Sequence, residues 1–247
     1  MAAIASTRPS ALSERAFFSG MALLTTAIIL WGFAPSFFLR GIAPPLVHSY
    51  LDPPLQPIRW LYIAHGLVFS LWVALCLTQV SLVASGRSAV HRRLGRIAFV
   101  LAPVMVVFGL VVSSYAARHG FHDVAVPAVT FSTVPVSDLL LYAAFVTAAI
   151  VTRRQPQTHK RWMLFAMIVI AEAGWARIGA LNPASLPQWL SAELLLLLPI
   201  IAWDLMRLGR LNVATVWGSL AITAVFSLRL WLGATPAWHA LVGGISG

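Results

Sequence analysis

Charge is scarce in this chain. Asp, Glu, Lys and Arg together occupy 10% of its 247 positions, where a water-soluble domain carries roughly 25%. That shortage excludes an ordinary soluble domain. Cysteine is nearly absent: Cys76 stands alone, so there is no intrachain disulfide and no cysteine-based metal cluster. As a small apolar residue in the middle of a hydrophobic run, it reads as packing. Alternation of apolar and polar positions is missing from runs such as Ala22 to Trp31 and Leu194 to Ile201, which excludes an outer-membrane β-barrel. Nothing resembles a phosphate-cradling glycine loop, a nucleophile with its base, or a zinc-protease helix. There is no low-complexity segment and no charged tail.

What the chain does have is apolar length. Hydrophobic residues make up 60% of it, and about 20 of them in a row cross the ~30 Å hydrocarbon layer as a helix. Seven stretches qualify: Phe17 to Leu39, Trp60 to Ala84, Leu94 to Ala117, Pro135 to Thr152, Trp162 to Leu181, Trp189 to Met206 and Val213 to Leu232. The expected fold is all-α, one integral membrane bundle of about seven transmembrane helices. It spans residues 17–234, between a cytoplasmic tail, 1–16, and an extracytoplasmic tail, 235–247. The first stretch is too long for a signal-peptide core and no small-residue cleavage site follows it, so it is expected to stay as a helix.

The net charge of +10 points to topology, with no need for a nucleic-acid partner. Arg8, Arg15, Arg87, Arg92, Arg93, Arg96, Arg153, Arg154, Lys160, Arg161, Arg207 and Arg210 fall on one side of the spans. Only Arg40, Arg59 and Arg118 fall on the other. The positive-inside rule places the N-terminus in the cytoplasm and the C-terminus outside, in a bacterial cytoplasmic (inner) membrane. Trp60, Trp162, Trp189, Trp231 and Trp238 stand at span ends, as an interfacial belt would.

Two blocks open helices alike: Val90-His91-Arg92-Arg93-Leu94-Gly95-Arg96 and Thr158-His159-Lys160-Arg161-Trp162-Met163-Leu164. Each follows a basic inward loop, which suggests a parallel duplication. Together with Ala64-His65-Gly66, Gln79 and Arg177, these motifs resemble those of uncharacterised bacterial multi-pass membrane proteins and of the predicted membrane family DUF2306. In the closer group the likeness continues through Phe33-Ala34-Pro35, Asp204 to Arg210, Arg229 and Thr235-Pro236-Ala237-Trp238, nearly the whole chain. Relatives often carry His where this chain has Asn212. The resemblance implies an architecture and supplies no activity.

Ionisable groups inside a membrane are costly and are functional candidates by default. His65, Asp138, Glu172, Arg177, Glu193 and Arg229 lie at overlapping depths in the outer half. They are expected either to line one polar cavity or to fix helices by pairing, with Arg229 snorkelling and Asp138 capping a helix as the plainer readings. Glu172 and Arg177, five residues apart, diverge by roughly 140° around a helix. Each therefore needs a partner elsewhere, Arg177 from Glu193, Asp138 or His65.

The second candidate group is cytoplasmic: His91 and His159, with Arg92, Arg93 and Arg161 and possible help from His65. Two imidazoles on separate helices would suit a b-type haem, with arginines on its propionates. The plainer reading is anionic lipid headgroups held by interfacial cations. No metal site is expected, and His119-Gly120-Phe121-His122-Asp123 reads as a solvated loop. Asp204 and Arg207 can pair locally along their helix. The functional classes are therefore an accessory or lipid-interacting membrane protein, a haem-binding electron carrier, and a small-molecule transporter or membrane-embedded enzyme.

Overall fold

The computed structural model describes residues 11–40, 42, 60–119, 126–178 and 186–246, with the backbone alone at 11, 186–194 and 245–246. Every regular element among them is helical. Helix α1 (Ala11–Phe33) runs into a π-helical turn, Ala34–Phe38, closed by a hydrogen bond from Leu39 N to Ala34 O at 2.7 Å. Pro35 cannot donate to a carbonyl of the preceding turn, and it lies where the α-helical pattern gives way to the wider π turn. Helix α2 is Trp60–Ala84. The basic block then forms a short helix, α3 (Ser88–Leu94), and a 3-10 turn, Gly95–Ile97, which lead into α4 (Ala98–His119). A single turn, α5 (Ala128–Phe131), precedes α6 (Thr133–Val151). The remainder are α7 (Pro156–Trp175), α8 (Leu186–Leu208), α9 (Val213–Gly233) and α10 (Pro236–Ser246).

Among the described residues, five helical segments are long and apolar enough to cross a membrane: Leu12–Phe38, Trp60–Ala84, Ser88–His119, Ala128–Val151 and Val213–Gly233. Their outward faces carry exposed Leu23, Trp31, Leu67, Leu71, Val100, Leu140, Trp217 and Leu228. An apolar surface of that extent has no stable contact with water, and the chain is a multi-pass helical membrane protein.

Helix α7 is also 20 residues long, but it is the inner helix. It packs against α1, α6, α8 and α9. Its buried residues run from Thr158 through Arg161, Leu164 to Val169, and Ala171 to Glu172 and Gly174, so they cover all sides. Around it α1 meets α2, α2 meets α4, α4 meets α6, α6 meets α9 and α9 meets α8. Phe17 of α1 stacks on Trp203 of α8, with ring centroids 4.3 Å apart, and closes the circuit. A helix shielded from lipid by its neighbours can carry charge, provided each charge finds a partner.

The expected spans differ from these helices mainly at the fifth. Expected through Leu181, it ends as α7 at Trp175, so Arg177 lies beyond the helix in the turn that follows. Residues 236–246, expected as tail, form α10. Trp238 Nε1 donates to Val129 O at 2.9 Å and lies 3.2 Å from Ser132 Oγ, while His239 Nε2 lies 3.2 Å from Thr130 Oγ1.

Close approach of α1 and α7 depends on a glycine pair. A Cβ placed on Gly32 would strike the Gly174 carbonyl, and one on Gly174 would come within 2.8 Å of Ile28 O. Gly32→Ala is therefore expected to destabilise the bundle by about 1–3 kcal/mol, the usual range for overpacking. Gly20→Ala, whose Cβ meets nothing within 4 Å, should leave thermal unfolding in detergent unchanged or slightly raised. Equal melting of both variants would remove the glycine contact as a packing determinant.

Candidate functional site

The polar residues gather at two ends of the bundle. At the basic end, Arg161 near the start of α7 meets Asp204 near the end of α8, and both side chains are 0% exposed. Arg161 Nε lies 3.0 and 3.2 Å from the two carboxylate oxygens of Asp204, and Nη2 also donates to Oδ1. Nη1 donates to Gln157 O and Oε1, at 2.6 and 2.9 Å. Asp204 Oδ2 further accepts from Asn212 N at 2.9 Å and Thr215 Oγ1 at 2.5 Å. This network joins α7, α8 and α9. A buried ion pair is tolerable when its hydrogen-bonding capacity is filled in this way.

Asn212 has a second task. In extended conformation (φ −70°, ψ 148°) it caps α9, its Oδ1 accepting from Ala214 N at 2.9 Å. Beside this network, Lys160 pairs with Glu14 of α1, Gln157 Nε2 donates to the same Glu14 oxygen at 2.8 Å, and the Lys160 ammonium lies 4.1 Å from the Phe18 ring centroid. Two of the bundle's few carboxylates, Glu14 and Asp204, are thus engaged by the neighbours Lys160 and Arg161.

His91 and His159 share this end. Their ring centroids are 6.4 Å apart with planes at 85°. His159 Nδ1 lies 2.8 Å from Ala149 O across the α6–α7 turn. Gln79, near the end of α2, faces His91: with its amide oriented to satisfy both neighbours, its nitrogen donates to His91 Nδ1 at 2.5 Å and its oxygen accepts from Gly95 N at 2.8 Å. Arg92, Arg93 and Arg96 remain exposed, as do Arg15, Arg87, Arg153, Arg154 and Arg210.

The donor set fits a shared iron or other metal poorly. A neutral histidine ligand offers one nitrogen lone pair and gives its other N–H to an oxygen acceptor. His159 meets that requirement through Ala149 O. His91 does not, because its Nδ1 receives an N–H from Gln79 and so its Nε2 carries the proton. Arg161, a candidate for haem propionates, is turned inward and bound to Asp204. Among the described residues no group of three or more His, Cys, Asp or Glu side chains gathers as a metal site.

At the opposite end, Arg229 of α9 joins α6 and α7. Its Nη1 lies 3.1 Å from Asp138 Oδ1 and 3.2 Å from Glu172 Oε2, and Nη2 lies 2.5 Å from Glu172 Oε1. The three side chains are 3%, 15% and 6% exposed in the order Arg229, Asp138, Glu172. Arg229 therefore does not snorkel outward, and Asp138 lies inside α6, away from its cap, Ser132. The cation hydrogen-bonded to Glu172 in these contacts, Arg229, comes from α9. Arg177 stacks over Phe33 at 4.2 Å and donates from Nη1 to Ala173 O at 2.6 Å. His65 packs on Phe69, with centroids 4.1 Å apart. The Glu193 side chain and residues 120–125, which include His122 and Asp123, lie outside the described residues.

No family model, curated protein or solved structure matches the chain.

The Arg161–Asp204 and Lys160–Glu14 pairs escaped the sequence reading, which paired Asp204 with Arg207 instead. Arg207 lies beside Trp203, 5.3 Å from its ring centroid. A signal for the true pairing was present: Asp204 ends one span at the depth where Arg161 opens another.

Asp204→Ala should destabilise the protein by about 3–5 kcal/mol, because it leaves the Arg161 charge buried without its partner. Arg161→Met combined with Asp204→Leu should cost less than Asp204→Ala alone. Unfolding of the three proteins in matched detergent decides this, and a double variant worse than the single one would sink the buried-pair account.

Proposed function

We propose that this chain is an accessory protein of the bacterial cytoplasmic membrane, with seven crossing helices, its basic end in the cytoplasm and its C-terminus outside. Its role there is to engage anionic lipid headgroups. The motif resemblance to the DUF2306 group is in keeping with this architecture. Helices α7 and α8, of 20 and 23 residues, supply the two further crossings. The lengths suffice, and successive long helices meet at alternating ends.

One observation carries the reading: the division of labour among cations at the basic end. Lys160 and Arg161 take the carboxylates of Glu14 and Asp204. Arg15, Arg87, Arg92, Arg93, Arg96, Arg153, Arg154 and Arg210 stay on the surface. Cations at a membrane surface gain about 1 kcal/mol each from an anionic leaflet, and arginine matches phosphate oxygens bidentately. The haem alternative is less favoured because the tautomer of His91 offers no ligating lone pair on Nε2. The transporter or enzyme alternative is less favoured because Arg229 is already matched by Asp138 and Glu172, an arrangement that serves to fix three helices.

Reporter fusions after Arg154 and at the C-terminus should report opposite sides of the membrane; same-side signals would remove a crossing. Replacing Arg92, Arg93 and Arg96 together by Gln should weaken binding of anionic lipid severalfold in low salt, with a smaller difference at high salt, as screening predicts. A Soret band in the purified protein, lost in His159→Ala, would return the haem alternative to first place.

A further inference from the structure

The two histidines at the basic end are not chemically equivalent, and Gln79 makes them so different. Were its amide turned the other way, its N–H groups would face the Gly95 N–H and its oxygen would face the His91 carbonyl. In the satisfied orientation the amide nitrogen donates to His91 Nδ1 and also lies 3.1 Å from His91 O. A nitrogen that accepts carries no proton, so His91 bears its proton on Nε2 and presents a donor there. His159 is the reverse. The partner of its Nδ1 is a backbone carbonyl, which only accepts, so Nδ1 carries the proton and Nε2 presents a lone pair. The two rings, both half-buried, stand 6.4 Å apart, and the exposed Arg92 and Arg93 follow His91 directly in the chain.

We propose that this donor–acceptor pair selects a phosphate headgroup that bears a hydroxyl. The arginines and His91 Nε2–H hold the anionic phosphate oxygens, and His159 Nε2 accepts the hydrogen bond of the hydroxyl. The inference rests on the basic end being a lipid-binding surface and narrows the ligand for it. Arginines alone attract every anionic lipid equally well. A lone-pair acceptor adds a distinction that charge does not make, between a headgroup with an O–H to give and one that is fully alkylated. An ammonium headgroup also has hydrogens to give, but the surrounding arginines repel its charge. Each half of the site is oriented from behind, His91 by α2 through Gln79 and His159 by the end of α6 through Ala149, so the selection requires no rearrangement.

The test compares phosphatidylglycerol with phosphatidylmethanol, equal in charge and acyl chains, by native mass spectrometry of the detergent-purified full-length protein. Phosphatidylglycerol should bind about fivefold more tightly, the equivalent of one net hydrogen bond. His159→Ala should bring it down to the phosphatidylmethanol level, with phosphatidylmethanol itself unchanged. Equal binding of both lipids by the unaltered protein overturns the inference without recourse to any variant. If that affinity still falls in the Arg92→Gln/Arg93→Gln variant, the basic end remains a lipid surface and only the hydroxyl selection is lost. Binding of both lipids that ignores the two arginines overturns the broader reading as well. Competition by soluble glycerophosphoglycerol, mole for mole as strong as the lipid, would reassign the site to a soluble phosphate ligand and overturn the membrane source.

Discussion

Along its buried length, a helix at the centre of a membrane bundle must settle each of its charges against another helix, because neither water nor lipid headgroups reach them there. Helix α7 carries such charges near both ends. Arg161 is answered by Asp204 of α8, and Glu172 by Arg229 of α9, with Asp138 of α6 beside it. An unanswered charge at either place would cost several kcal/mol. The pairs therefore specify which helices surround α7 and at what depth, and the circuit from α1 through α8 is built around that requirement. Apolar packing alone sets no such depth, since lipid tails are as apolar as leucine and do not drive helices together.

Close packing supplies the complementary constraint. Gly32 and Gly174 bring α1 and α7 near enough for backbone to meet backbone, which places Glu14, Phe17 and Phe18 of α1 beside Lys160, Arg161 and Trp203. The same geometry explains the uneven use of cations at the basic end. Those beneath α1 and α8 are held internally, whereas those on the α2–α3 turn, on α3 and after α6 remain on the surface. At this end the acids Glu14 and Asp204 take Lys160 and Arg161, and the arginines of the α2–α3 turn, of α3 and after α6 stay exposed.

Much of the architecture was legible from residue patterns. Trp60–Ala84 appears as an unbroken helix with the expected ends, and His91 and His159, singled out because each opens a helix beside a basic loop, do lie side by side. Their chemistry was not legible. Whether a histidine nitrogen gives or accepts depends on which atom stands 3 Å away, and Gln79 and Ala149 O are set there by packing of α2 and α6. Ala176, Ile178, Ala180 and Leu181 continue the apolar composition of the fifth span, which is why it is expected through Leu181, whereas α7 ends at Trp175. Of the partners expected for Arg177, Asp138 is engaged by Arg229, and the Glu193 side chain lies outside the described residues. Partner choice among several cations at similar depth depends on helix rotation, which a charge count along the chain does not contain.

By itself, the sequence determined that this chain is helical, crosses a membrane several times and collects its basic residues at one end. Those properties follow from composition and run length, because the cost of exposing apolar surface to water, or backbone polar groups to lipid, is paid locally, segment by segment. Only the tertiary structure decided that α7 is the inner helix, that Arg161 and Arg229 are held within the bundle while Arg92 and Arg93 stay exposed, and that His91 presents a donor where His159 presents an acceptor. Ion pairs and hydrogen bonds act over about 3 Å. Which residues come that close is set by how helices far apart in sequence rotate and pack against one another.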